Sequence, residues 1–489
     1  MHGHETIMLG MVLVFGFYMA WNIGANDVAN AMGTSVGSGA LTLRRAVILA
    51  GIFEFLGAYF VGANVSETVR KKLFDPEQLV TIHGDDAAFV LACGMIAALI
   101  AAGTWLLIAS YFGWPVSTTH AIVGAVVGFG CVALGVDLVD WQEVAVITAG
   151  WVVSPLLSGA IAYTLFRLIL RTVFFKRDPI AAARRVAPWL VFLVLIVLIG
   201  VLVFKGLKPF WQRQGVDPFD PKVLVPMGLA SLLAGAIGLF VTRWLVRDIH
   251  APSGKLSNPT QSPYISRALS KATMHLRRVR DTADGPVNEQ AVELLRDLEK
   301  LHTEVRANTH FGTDSAELRQ VERIFVFLQI LTACFVAFSH GSNDVANAIA
   351  PMSAAYEAID SGQVALKAEV PPWALALGGI GIILGLATWG WRVIRTVGER
   401  ITELTPSRGF AAEFAAAITI LLASVFGLPV STTHTLVGAV LGVGLARGIG
   451  ALNFSVMRDI VASWFITIPA GAGLSIVFYY LLSFTLRMF

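Results

Sequence analysis

The chain predicts an all-α integral membrane protein built from two related halves. Three observations carry that reading. Of its 489 residues, 56% are hydrophobic and only 14% charged, with a mean hydropathy of +0.70; a soluble domain carries about 25% charged residues. Apolar runs of roughly 20 residues, the length that spans a bilayer, recur from end to end. Two polar peptides also occur twice. Gly24-Ala25-Asn26-Asp27-Val28-Ala29-Asn30-Ala31 returns as Gly341-Ser342-Asn343-Asp344-Val345-Ala346-Asn347-Ala348, and Pro115-Val116-Ser117-Thr118-Thr119-His120 returns as Pro429-Val430-Ser431-Thr432-Thr433-His434.

The first half has five apolar blocks, at about 7–40, 46–63, 87–110, 113–136 and 141–168. The second repeats them at about 324–356, 373–394, 410–427, 429–447 and 459–486. The offset is 317 residues from Asn26 to Asn343 and 314 from Pro115 to Pro429, so insertions are confined to loops. Two further spans lie near 186–204 and 223–242, giving about 12 in total. The predicted division is 1–170, first repeat; 171–245, a basic loop and two connecting helices; 246–322, an amphipathic helical linker; and 323–489, second repeat. The blocks 7–40 and 324–356 are long enough to be broken or re-entrant helices near the midplane. The glycines opening each motif, Gly24 and Gly341, are expected to let the helix loosen and expose carbonyls.

Basic residues set the orientation. Arg167, Arg171, Lys176, Arg177, Arg184 and Arg185 follow the first half, and Arg243, Arg247, Lys255 and Arg267 open the linker. Both stretches are expected in the cytoplasm of a plasma or inner membrane. With five crossings per half, the repeats are inverted and both termini lie outside. The start, Met1-His2-Gly3-His4-Glu5, has no basic flank of a cleavable leader and reads as a retained first helix. In the linker, Val292, Leu295, Leu298, Leu301 and Val305 recur at helical spacing, and Ile265, Leu269, Leu276 and Val279 mark a second helix. A helical hairpin follows.

An aspartate inside a membrane helix costs on the order of 2.5–3.5 kcal/mol. Asp27 and Asp344 are therefore candidates for function, with interface pairing or capping as the competing reading. On a helix Asn26, Asp27 and Asn30 share one face. Carboxylate and amide oxygens suit a small hard cation, and Asn343, Asp344 and Asn347 repeat the set. The Pro-Val-Ser-Thr-Thr-His peptides place hydroxyls where a helix begins. Free N–H groups and the hydroxyls of Ser117, Thr118, Thr119, Ser431, Thr432 and Thr433 could surround an oxyanion; simple capping is the alternative. Glu54 is a candidate coupling residue whose counterpart in the second half is apolar. His120 and His434 are candidate proton carriers or packed helix histidines. Gly124/Gly128 and Gly438/Gly442 read as close helix packing. Paired polar clusters in paired halves outline a secondary transporter.

Other classes fit poorly. Basic residues are not interleaved with aromatics as in nucleic-acid binding. Cys93, Cys131 and Cys334 lack metal-ligand spacing and read as packing. A serine hydrolase built from Ser117 or Ser431 has no Gly-x-Ser-x-Gly elbow. A passive anion channel has no need of buried acids. The chain is therefore expected not to be an enzyme and to need no cofactor.

At these motifs the sequence resembles the inorganic phosphate transporter (PiT) family over about 8–168 and 324–486. The strongest run extends from Gly24 through Glu67-Thr68-Val69-Arg70-Lys71. The resemblance implies inverted halves, a variable hydrophilic connection, and a homodimer. It assigns Asp27, Asn30, Asp344 and Asn347 to cation and phosphate coordination, and the Ser/Thr triplets to phosphate. Together the readings place Na+ at Asn26, Asp27, Asn343 and Asp344. Phosphate falls to Asn30, Ser117, Thr118, Thr119, Asn347, Ser431, Thr432 and Thr433. Asn26-Asp27 and Ser117-Thr118-Thr119 resemble the sodium-dependent branch, so the expected activity is Na+-coupled phosphate symport by alternating access. Protons, or sulfate or another oxyanion, are the alternatives. Ser339-His340 before the second motif departs from a plain apolar pair and keeps protons in view.

Overall fold

The computed structural model describes residues 5–62, 76–213, 217, 220–249, 263–282, 284–308, 316–364, 370–394, 404–425, 428–448 and 454–488. The side chain of Asn30 and the run Glu67-Thr68-Val69-Arg70-Lys71 lie outside the described residues.

Every predicted apolar block carries a helix. Helix α1 (Glu5–Ile23) passes through a π turn (Gly24–Val28) into α2 (Ala29–Gly37). Next come α3 (Leu43–Val61), α4 (Pro76–His83), α5 (Ala87–Phe112), α6 (Thr118–Ala133) and α7 (Trp141–Ile169). The connecting pair is α8 (Pro179–Arg213) and α9 (Pro221–Val246), and the linker holds α10 (Pro263–Thr282) and α11 (Pro286–Asn308). The second half contributes α12 (Ala316–Ser361), α13 (Pro372–Trp389), α14 (Pro406–Val425), α15 (Thr432–Arg447) and α16 (Phe454–Met488). Among the described residues, nine helical stretches are long and apolar enough to cross a membrane, and Thr118–Ala133 is a shorter apolar helix.

The helices form two compact units, Met1–Thr164 with Val197–Ser231 and Gln329–Phe489, and Leu165–Ile196 with Leu232–Leu328. In the first, glycines let backbones touch where a methyl group would collide. Gly24 of the π turn faces the Ile382 carbonyl and Gly385 faces that of Trp21, locking α1 against α13. Gly341 faces the Glu54 carbonyl and Gly57 that of Phe338, locking α12 against α3 in the same manner. This corrects one expectation. Helix α12 runs unbroken through Gly341, because that glycine serves close approach rather than unwinding. The duplicated small-residue pairs behave as expected: Gly124 and Gly128 meet Ile468 and Ala472, and Gly438 and Gly442 meet Pro155 and Gly159.

In the second unit Gly235 and Gly238 of α9 receive Phe192 and Leu195 of α8. Helices α10 and α11 pack on each other as the expected hairpin, tied by Arg277 to Glu299 at 2.8 Å.

Candidate functional site

The local sequence fixes where each polar segment begins. Helix α5 stops at Gly113, whose φ of +69° suits glycine. The chain then extends through Pro115 to Ser117, which caps α6 by accepting from His120 N at 3.2 Å. Ser431 caps α15 from His434 N at the same 3.2 Å. The asparagines that open each motif hold these segments. Asn26 donates to Ser110 Oγ and to the Trp114 carbonyl, each at 3.0 Å, and accepts from Val116 N at 3.2 Å. Asn343 donates to Ser424 Oγ at 2.8 Å, the equivalent contact in the second half.

These supports bring the two halves' polar residues together. Thr118 Oγ1 donates to Asp27 Oδ2 at 2.6 Å, and Thr432 Oγ1 to Asp344 Oδ2 at 2.7 Å. Other contacts cross between halves. Thr433 donates to Asp27 Oδ1, while Asn347 Nδ2 donates to Thr118 Oγ1 and Thr119 Oγ1 at 3.1 and 3.2 Å. Thr119 also bonds the Val430 carbonyl at 3.3 Å, and Thr433 that of Val116 at 3.1 Å. All of these side chains are buried.

Sequence reasoning did not single out His340 as a site residue, and it sits at the centre. Its Nδ1 is hydrogen-bonded to Glu54 Oε2 at 3.0 Å, and its Nε2 lies 2.8 Å from Asp344 Oδ2 and 4.0 Å from Asp27 Oδ1. One ligand atom each from Asp27, His340 and Asp344 fall within 4.8 Å of one another. Asp344 Oδ1 and Glu54 Oε1 are buried with no hydrogen-bond partner among the described residues. A buried carboxylate oxygen left so calls for a cation or a donor. The mirror positions of His340 and Glu54 are Ile23 and Ile382, so the pair, one residue from each half, has no second copy.

A buried acid, Glu413, also went unnoticed in the sequence. Glu413 of α14 accepts from Thr34 Oγ1, Ser35 Oγ and Gln329 Nε2 on Oε1 at 2.7, 2.6 and 3.2 Å, and from Thr332 Oγ1 on Oε2 at 2.7 Å. The signal was present: an acid within an apolar helix, the rule that drew attention to Glu54.

His120 and His434 lie apart from the acids. They stand edge to face, with centroids 4.3 Å apart, each stacked on a tryptophan, Trp151 and Trp464 respectively.

A model of the phosphate transporter family matches residues 23–475, which include both duplicated motifs. The chain belongs to the phosphate transporter family. Similar proteins carry names of that kind. A Chlamydia trachomatis serovar D chain named "Putative phosphate permease" is 44% identical over 480 residues, covering 97% of this chain and 98% of its own. The chloroplastic inorganic phosphate transporter 2-1 of Arabidopsis thaliana is 43% identical over 469 residues, covering 95% of this chain and 70% of its own. A solved structure titled "The sodium-dependent phosphate transporter" superposes with a TM-score of 0.74 at 36% identity, over 98% of this chain and 99% of that one. Its apolar helices and its family make this transporter family member an integral membrane protein.

Proposed function

We propose that this protein is a sodium-coupled symporter that imports inorganic phosphate by alternating access of a site shared by its two halves. The observation that carries the reading is the convergence of Asp27 and Asp344, one from each copy of the motif, on a single buried cluster with threonine hydroxyls on both carboxylates. The name of the structural neighbour supports sodium. In this reading Asp27 and Asp344 carry the cations, and the unpartnered Asp344 Oδ1 is a ligand position. Thr118, Thr119, Thr432, Thr433 and Asn347 face phosphate, with Asn30 as their expected partner. Asn26 and Asn343 hold the helix starts in place, a narrower part than direct Na+ coordination. Glu413 and its hydroxyl donors offer a further oxygen-lined place for a cation. The halves are inverted repeats within about 12 spans, with termini outside and the linker in the cytoplasm; cysteine-accessibility labelling from each side tests that arrangement.

The energetics favour more than one cation. Moving a dianion inward against 100 mV costs about 4.6 kcal/mol, and a tenfold gradient adds about 1.4 kcal/mol. One monovalent ion leaves a net charge; two cancel it. Phosphate uptake into proteoliposomes with Na+ inside and outside buffers set independently, or replaced by choline, tests the coupling. Sodium-driven uptake that is lost in Asp27→Asn and Asp344→Asn supports the reading, and uptake indifferent to Na+ overturns it. A second reading, coupling to protons on the same scaffold, is favoured by one observation: His340 bridges Glu54 and Asp344. Uptake driven by a pH gradient with no sodium present distinguishes it.

A further inference from the structure

Helix α5 ends with a carbonyl that is claimed from another helix. Trp114 N–H bonds the Ala109 carbonyl at 2.9 Å and Gly113 N–H that of Ser110 at 3.1 Å, which completes a glycine cap. That cap does not reach the Tyr111 carbonyl, an acceptor at the negative end of the helix. Arg392, three residues beyond α13, takes it: Nη1 donates to Tyr111 O at 3.0 Å. The guanidinium also sits among three rings, 5.1 Å from the centroid of Tyr111, 4.8 Å from that of Trp389 and 5.3 Å from that of Trp391. A planar cation that stacks on aromatic faces while it donates is held in direction as well as in place.

The arginine stands on a fixed base. Trp389 packs against Trp21 of α1 with centroids 6.1 Å apart, and Trp21 Nε1 donates to Thr388 Oγ1 at 3.1 Å. One turn earlier, Gly385 admits the Trp21 carbonyl. From Trp21 the chain runs on to Asn26, whose amide holds Ser110, Trp114 and Val116. The corner between α5 and α6 is thus held at alternating points. Asn26 takes Ser110, Trp114 and Val116, and Arg392 takes Tyr111 between them. The Ser117-Thr118-Thr119 triplet follows at once. In the second half the counterpart of Tyr111 is Val425, so the other triplet has no tyrosine at this place.

We propose that Arg392 is a positioning residue for phosphate. It fixes the end of α5 and, through the corner at Gly113 to Val116, the place where α6 begins and presents Thr118 and Thr119 to the anion. It acts through the corner and not by contact with the anion. Without this brace the corner gains freedom that binding must remove again, which weakens affinity and leaves the maximal rate alone. The inference rests on the phosphate reading of the triplets.

Sodium-driven phosphate uptake into proteoliposomes of the full chain is the test, with KM and maximal rate read separately. Arg392→Gln should raise the KM for phosphate about tenfold, the weight of one charge-assisted hydrogen bond, and change the maximal rate less than about twofold. Arg392→Lys keeps the charge and a donor without the planar fork, and should raise KM about threefold. Tyr111→Leu removes a stacking ring on an exposed side but leaves the carbonyl; a rise of about threefold is expected there too. Arg487→Gln is the control at the opposite end of α5, where Arg487 meets Asp86 at 3.2 Å and lies 5.5 Å from the Phe89 ring centroid. Its KM should match the wild type. A wild-type KM in Arg392→Gln, or in both Arg392→Lys and Tyr111→Leu, overturns the proposal, as does an equal rise in Arg487→Gln. A lower melting temperature and maximal rate at constant KM would make Arg392 a structural tie only, which overturns it as well. A wild type that takes up no phosphate defeats the transport reading and this inference with it; a working wild type beside an unmoved KM defeats this inference alone.

Discussion

Asn26 illustrates how one amide organises a buried site. Its oxygen and both bonds from its nitrogen are spent on Ser110, Trp114 and Val116, which fixes the chain just before the first Ser-Thr-Thr triplet. Asn26→Ala should destabilise the protein by about 1–3 kcal/mol, since it orphans buried groups. Asn343→Ala, with one such bond among the described residues, to Ser424, should cost less. Thermal unfolding of the detergent-solubilised protein measures both. Glu413→Gln separates a cation ligand from a structural acceptor. If Glu413 holds a cation, the sodium concentration for half-maximal uptake should rise several-fold, about 1 kcal/mol; a melting temperature that falls while sodium dependence stays unchanged counts against that role. The acids and hydroxyls of the duplicated motifs were legible in the sequence because polar residues in apolar helices need a reason. The surroundings of Glu413 were not. Its four donors come from Thr34, Ser35, Gln329 and Thr332, segments that nothing but the fold brings together.

The helices themselves were legible from hydropathy, block by block, and so were the caps. Ser117→Ala should cost about 1 kcal/mol by loss of the bond to His120 N. What the sequence left open was the purpose of the glycines. Gly24 and Gly341 occupy the same place in the two motifs, yet one lies in a π turn and the other in a straight α-helix. Both admit a carbonyl of the crossing helix, from Ile382 and Glu54. A glycine needed for contact and one needed for backbone freedom look the same in a sequence; the partner helix decides. Gly57→Ala and Gly385→Ala should each destabilise by about 1–3 kcal/mol, because a methyl group would strike the Phe338 or Trp21 carbonyl. Melting temperatures against Gly10→Ala, which has open space at its Cβ, provide the comparison.

Over the whole molecule, duplication is followed by divergence. Contacts of Asn26 and Asn343, of Thr118 and Thr432, and of Thr119 and Thr433 repeat between the halves. The His340–Glu54 pair does not repeat: Ile23 and Ile382 stand in its place. The counterparts of Thr34, Ser35, Gln329, Thr332 and Glu413 are Pro351, Met352, Val12, Phe15 and Leu99, so that cluster too has no second copy. The mirror position supplies a test. His340→Ile alone leaves Glu54 buried without its partner and should cost about 3–5 kcal/mol, whereas His340→Ile with Glu54→Ile should recover most of that loss. Unfolding of the two variants measures it. Uptake should be impaired in both if the pair takes part in coupling.

The reach of Thr433 to Asp27, and of Asn347 to Thr118, has a genetic consequence. Lesions in the two copies of the motif belong to one complementation group. A cell that expresses Asp27→Asn and Asp344→Asn on separate chains should take up no more phosphate than one expressing either alone, since neither polypeptide contains an intact pair of acids. Rescue by that co-expression would mean that the working site is assembled between chains.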